Sequence, residues 1–180
     1  MSIKNPPDQK STVELRKLED VPQSSSGAPI PMVVAGEHSL SVVFYLQARD
    51  PNWDGTSVQV VGENSADQIV AAIRFHRPYA HFFGPPNEEI IDGHPLTKFG
   101  LRPFDAVEVM GSPWIEDLCK RNRVHPHHSD KMFKKYHHYI LTFHDTTFEV
   151  IADGYQIEKL GNSSVLNAAS KELERWQNEQ

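Results

Sequence analysis

The chain predicts an α+β fold: a mostly antiparallel, strongly twisted sheet of about six strands, partly closed in one variant, with two or three covering helices. Three observations predict it. Short runs alternate apolar and polar residues between turn-forming clusters, as at Leu40, Val42, Phe44 and Leu46. Two stretches carry helix starts, Ser112-Pro113 ahead of Ile115, and Asn162 or Ser163 ahead of Val165, Leu166, Ala169, Leu173 and Trp176. The turns between the first strands are short, which suits antiparallel neighbours.

Residues 1–30 read differently from the rest. Pro6, Pro7, Pro22, Pro29 and the run Ser24-Ser25-Ser26-Gly27 bury little and cost much to order, so this stretch is expected to be a flexible leader. Residues 31–180 then form a single domain, a usual size for one hydrophobic core.

Leu40 to Gln47 is the first expected strand, with Ser41, Val43 and Tyr45 opposite its main apolar face. Thr56 to Val61 is the second, after a turn over 49–55, and Ile69, Ala71, Ile73 and Phe75 mark the third. Residues 77–104 hold Pro78, Pro85, Pro86, Pro95 and Pro103 and resist both regular states; they are expected to cross an end or a face of the sheet. Asp105 to Met110 returns to strand. Ser112 caps the next helix, Pro113 occupies its first position, and Ile115, Leu118 and Cys119 are expected to point inward. A short helix is expected over 130–136.

The last hairpin is legible residue by residue. With Asp145-Thr146 as a two-residue turn, Phe143 pairs with Phe148, Thr142 with Glu149, Leu141 with Val150 and Ile140 with Ile151. A slip of one residue would bury Glu149, which fixes the parity. The polar face then carries His138, Thr142, His144, Thr147 and Glu149, with His144 and Glu149 in diagonal reach.

Composition excludes several function classes. A net charge of -6 argues against a nucleic-acid coat. No apolar run is long enough for a membrane helix. Met1 to Lys10 lacks the apolar core of a signal peptide, and Ser2 is not the glycine that myristoylation needs. The single Cys119 cannot form an internal disulfide and suits a reducing compartment, so a soluble, cytoplasmic protein is expected. Glycine-rich nucleotide motifs and the Gly-x-Ser-x-Gly elbow are absent.

The chemistry resides in histidines and carboxylates. His144, Glu149 and His94 are the candidate catalytic residues, since imidazole titrates near neutral pH and a carboxylate can fix its tautomer. His81, Phe82, Phe83, Arg74, Arg123 and Thr142 are the candidate ligand-binding residues, for a small or anionic molecule held where the hairpin meets 77–104. His138, His144 and Glu149 are the candidate ligands should a divalent metal serve as cofactor. The alternative is a non-catalytic regulatory or scaffold module. Its basic, histidine-rich stretch 121–135 would dock on an acidic protein partner. The apolar stripe of the last helix suggests a homodimer.

Overall fold

The computed structural model describes residues 12–48, 56 and 60–178. The fold is α+β; among the described residues, nine strands form two antiparallel sheets, neither of which closes. One sheet has five strands in the order β1 (Glu14–Lys17), β6 (Ala106–Met110), β7 (His137–Thr142), β8 (Thr147–Ala152) and β5 (Ala80–Gly84). The other has four, β2 (Met32–Ala35), β3 (Leu40–Tyr45), β4 (Gln68–His76) and β9 (Gly154–Ser163).

The sheets face each other across the main core. Leu40, Val42, Phe44, Ala71, Ile73 and Phe75 meet Tyr139, Leu141, Phe143, Phe148, Val150 and Ala152 there. Phe143 lies 5.3 Å from Phe44, centroid to centroid. Each sheet is also covered on its outer face. The helix α3 (Val165–Asn178) packs Val165, Ala168 and Ala169 on Val43, Tyr45, Val70 and Ala72. Over the five-stranded sheet, Ile91, Leu96 and Leu101 of the proline-rich segment pack on Val107, Val109 and Ile140. That segment, expected to resist both regular states, contributes the edge strand β5 at its start and beyond it, among the described residues, only short 3-10 turns, Glu88–Gly93 and Thr97–Phe99. It crosses a face, as its irregular composition suggested.

Several expectations need correction. From residue 12 on, the supposed leader is built into the fold. Its strand β1 pairs with β6, Leu18 enters the inter-sheet core, and Ser24 bridges to Leu46. An edge strand pairs through its backbone, so Glu14–Lys17 needs no apolar alternation to join the sheet. Residues 1–11 lie outside the described residues. Of the expected strand 56–61, Thr56, Val60 and Val61 belong to no strand and 57–59 lie outside the described residues; β3 pairs directly with β4.

The long strand β9 escaped notice because a bulge breaks its alternation. Val70 pairs with Gly161 and Ala71 with Lys159, leaving Leu160 as the extra residue. Tyr155 and Ile157 therefore face the inter-sheet core while Leu160 packs with the α3 layer.

The hairpin keeps its parity but not its turn. The Phe143 N–H donates to the Thr146 carbonyl at 2.8 Å, so His144-Asp145 is the turn. Moving a turn by one residue moves every pair by two, and Leu141 faces Phe148 while Ile140 faces Glu149. The helix α1 (Pro113–Asn122) starts as expected, with Ser112 Oγ accepting the Ile115 N–H at 3.2 Å. It buries no residue fully, so Cys119 is half-buried instead of in the core. The helix α2 (Asp130–Phe133) is shorter than expected. Ser164, not Asn162 or Ser163, caps α3 by accepting the Asn167 N–H at 3.1 Å. Among the described residues, no helix is long and apolar enough to cross a membrane.

Candidate acid–base site

Because Tyr139, Leu141, Phe148 and Val150 point into the inter-sheet core, alternation turns His138, Ile140, Thr142, Thr147, Glu149 and Ile151 to the outer face. The polar members of this row anchor the covering segment. Thr147 Oγ1 donates to the Pro86 carbonyl at 2.9 Å. Thr142 Oγ1 accepts the Asp105 N–H at 2.7 Å and donates to the Arg102 carbonyl at 2.8 Å. An irregular segment has no ladder of its own, so its backbone groups must find such partners when buried.

Glu149 is the centre of the row. Its two oxygens meet two imidazoles, His138 Nε2 at 2.9 Å and His94 Nε2 at 3.3 Å. His138 comes from the adjacent strand and His94 from the covering segment. The far nitrogens are fixed as well. His94 Nδ1 accepts the Leu96 N–H at 3.2 Å, which leaves Nε2 as the protonated nitrogen that donates to Glu149. His138 Nδ1 lies 2.9 Å from Ser112 Oγ. That oxygen already accepts from Ile115, so its own proton is free to go to His138. The line Ser112–His138–Glu149–His94 is thus complete in donors and acceptors.

The line is nearly dry. The side chains of His138 and His94 are 3% and 8% exposed, and that of Glu149 is 16%. Burial pushes the Glu149 carboxyl up, but the hydrogen bonds from His138 and His94, joined by the positive charge of the rings when protonated in acid, outweigh it and hold it at about 2. Trp114 stands edge-on to His138, 5.2 Å between centroids.

Of the residues expected from sequence, only His94, His138 and Glu149 come together. His144 sits in the turn, bonded to Asp145 at 2.9 Å and near Glu88 at 3.4 Å, and the Asp145 hydrogen bond raises its pKa. It does not reach Glu149, because the shifted turn carries it past the end of the strand. Phe82 pairs with Glu149 across β5 and β8 and shares its face, but His81 pairs with Val150 and Phe83 with Phe148, which turns both to the inner side. Thr142 is committed to the 102–105 backbone. Arg74 lies on the other sheet and binds Glu172 and Glu158; Arg123 lies 3.7 Å from Asp130.

The expected metal set His138, His144 and Glu149 does not converge. Among the described residues, one group of three ligating atoms lies within 4.8 Å of one another, formed by Cys119, His128 and Asp130. A groove of about 470 Å³ lies on the opposite side of the sandwich, lined by Ser41, Arg74, His76 and Trp176. Its Arg74 guanidinium is already engaged by two carboxylates, so Arg74 does not serve as the anion-binding group expected from sequence.

Ser112 is the functional candidate that sequence reasoning passed over. Its capping role was plain, but its approach to His138 spans 26 residues and leaves no local signal. Comparison with family models, with curated proteins and with solved structures finds no match for this chain. Its function must be argued from the site itself.

Proposed function

We propose that the protein binds a small molecule over the outer face of the five-stranded sheet and performs acid–base chemistry on it, with acyl transfer as the reaction class. One observation carries this reading: Ser112 Oγ, His138 and Glu149 form a line with 2.9 Å at each step. At that spacing an imidazole can take a hydroxyl proton while a carboxylate stabilises the imidazolium. Ser112 Oγ would bond to the acyl carbon, its proton would pass to His138 Nδ1, and His138 would return it to the leaving group as the bond from that group to the acyl carbon breaks. A water molecule, losing its proton to His138, would then take the acyl group from Ser112, whose oxygen regains a proton. Glu149 itself, held at about 2, is too weak a base for that task. His94 is a positioning residue here, holding the second Glu149 oxygen. The amino end of α1 adds a favourable field for negative charge growing at Ser112.

Phe82, 42% exposed beside Glu149, offers an apolar surface for the ligand. Ser112 is 4% exposed, so the substrate gains access only when a covering group such as Trp114 moves. The rival module reading has less to draw on, since Arg121 and Arg123 already face Asp117 and Asp130. A fluorophosphonate probe followed by peptide mass spectrometry decides between them. The expected result is an adduct on Ser112, absent in His138→Gln and formed faster in Trp114→Ala. If folded Trp114→Ala protein carries no adduct, the catalytic reading fails and the interaction module takes its place.

A further inference from the structure

We infer that Cys119, His128 and Asp130 form a binding site for a borderline-soft divalent cation, zinc by the chemistry of the donors. The three ligands come from two helices and the loop between them. Cys119 lies on α1, His128 in the loop, and Asp130 opens α2. Cys119 Sγ is 4.0 Å from His128 Nε2 and 3.3 Å from Asp130 Oδ1, and Nε2 and Oδ1 are 2.6 Å apart. Zinc bonds of about 2.0–2.3 Å at tetrahedral angles set ligand atoms roughly 3.3–3.6 Å from one another. Small side-chain rotations bring all three edges into that range.

A second observation concerns the orientation of His128. Its Nδ1 lies 2.9 Å from Asn122 Oδ1, which leaves Nε2 as the atom turned to the Asp130 carboxylate 2.6 Å away. The Cys119 thiol donates to that same carboxylate oxygen at 3.3 Å, so a sulfur, a ring nitrogen and a carboxylate oxygen converge on one point, a donor set that suits a borderline-soft metal. Asn122 plays the part that outer partners play at histidine–metal sites, setting the tautomer and aiming the ring. The His128 ring also rests on Phe133, 5.8 Å between centroids. Entry is open on one side, where the Asp130 side chain is 61% exposed.

Bound zinc would lock α1 to α2 across the basic loop 123–129, independently of the acid–base line at Glu149. The cation Arg123, 3.7 Å from the outer Asp130 oxygen, opposes a metal there. Its removal is expected to tighten binding.

The test uses untagged full-length protein, stripped with a chelator and titrated with zinc alone and with cobalt(II) alone. One equivalent of zinc is expected to bind and to raise the Tm. Cobalt should give a thiolate charge-transfer band that disappears in Cys119→Ser. Affinity should fall about tenfold in Asn122→Ala, which leaves every ligand in place, and further in His128→Ala. His38→Ala should leave it unchanged. Retention of the zinc-free Tm checks that each variant folds. Zinc binding that is absent, or that survives Cys119→Ser and His128→Ala undiminished, overturns the assignment.

Discussion

Two carboxylates, Glu172 and Glu149, occupy mirror roles on the two outer faces of the sandwich, and they are neutralised by different chemistry. Glu172, on α3, is 2% exposed and receives Arg74 through Nε and Nη2 together with the Ser41 hydroxyl. Glu149, on β8, receives two histidines. Arginine keeps its charge at every relevant pH, so the first arrangement is a fixed lock between helix and sheet. Histidine can donate through one ring nitrogen and accept through the other, so the second arrangement continues outward to Ser112 and to the Leu96 N–H. The covering elements differ in the same sense. A regular helix satisfies its own backbone, whereas the 85–104 segment depends on the side chains beneath it.

The largest expected effect breaks the fixed lock. Arg74→Ala leaves Glu172 buried without its cation, and urea denaturation should show a loss of about 3–5 kcal/mol. Replacing Arg74 and Glu172 together by apolar residues should recover most of that. Equal loss in the double variant would mean that packing, not charge, ties α3 to the sheet.

The histidine-held carboxylate should reveal itself through acid. Burial raises the Glu149 pKa, but the two histidines bring it from 4.5 to about 2 in the folded state. Its contribution is therefore fully present above about pH 4.5 and lost as pH falls toward 2, on the order of 3 kcal/mol. Glu149→Gln should flatten the stability profile in that window. A profile as steep as that of the wild type would assign the acid sensitivity to other carboxylates.

Ser112→Ala tests the junction between α1 and the site. Loss of the cap and of the His138 partner should cost about 1–2 kcal/mol. The smallest effect is expected at Leu173, 51% exposed on α3. In a monomer, Leu173→Ala should change stability by less than about 0.5 kcal/mol. A larger cost that grows with protein concentration would put this stripe in a dimer interface.

What was legible in the sequence follows the same division. Elements with apolar alternation or a cap were plain: β3, β4, β6, the hairpin and both longer helices. The strands β1, β2 and β5 are short edge or near-edge pieces, joined mainly by backbone pairing, and β9 hides its pattern behind the Leu160 bulge. At the site, the outer face of the hairpin could be read because parity survives a change of turn. That put Glu149 and His138 on one face under the covering segment, but paired Glu149 with Thr142 and set it diagonal to His144, whereas the observed register pairs it with Ile140 and brings it to His138. The choice of His144 failed because the turn moved by one residue. His94 reaches Glu149 from 55 residues away and Ser112 reaches His138 from 26, contacts set by how an irregular segment crosses the sheet.

Glu149 accepts a proton-bearing Nε2 from each histidine, leaving His138 Nδ1 as the acceptor that faces Ser112. Ring nitrogen-15 NMR of histidine-labelled protein at neutral pH reads this directly. Nε2–H tautomers are expected for both His94 and His138, with the Nε2 signals of both displaced in Glu149→Gln and the Nδ1 signal of His138 displaced in Ser112→Ala. An Nδ1–H tautomer at His138 in the wild type would contradict this arrangement, because Ser112 would then be an acceptor only and no imidazole would stand ready to take its proton.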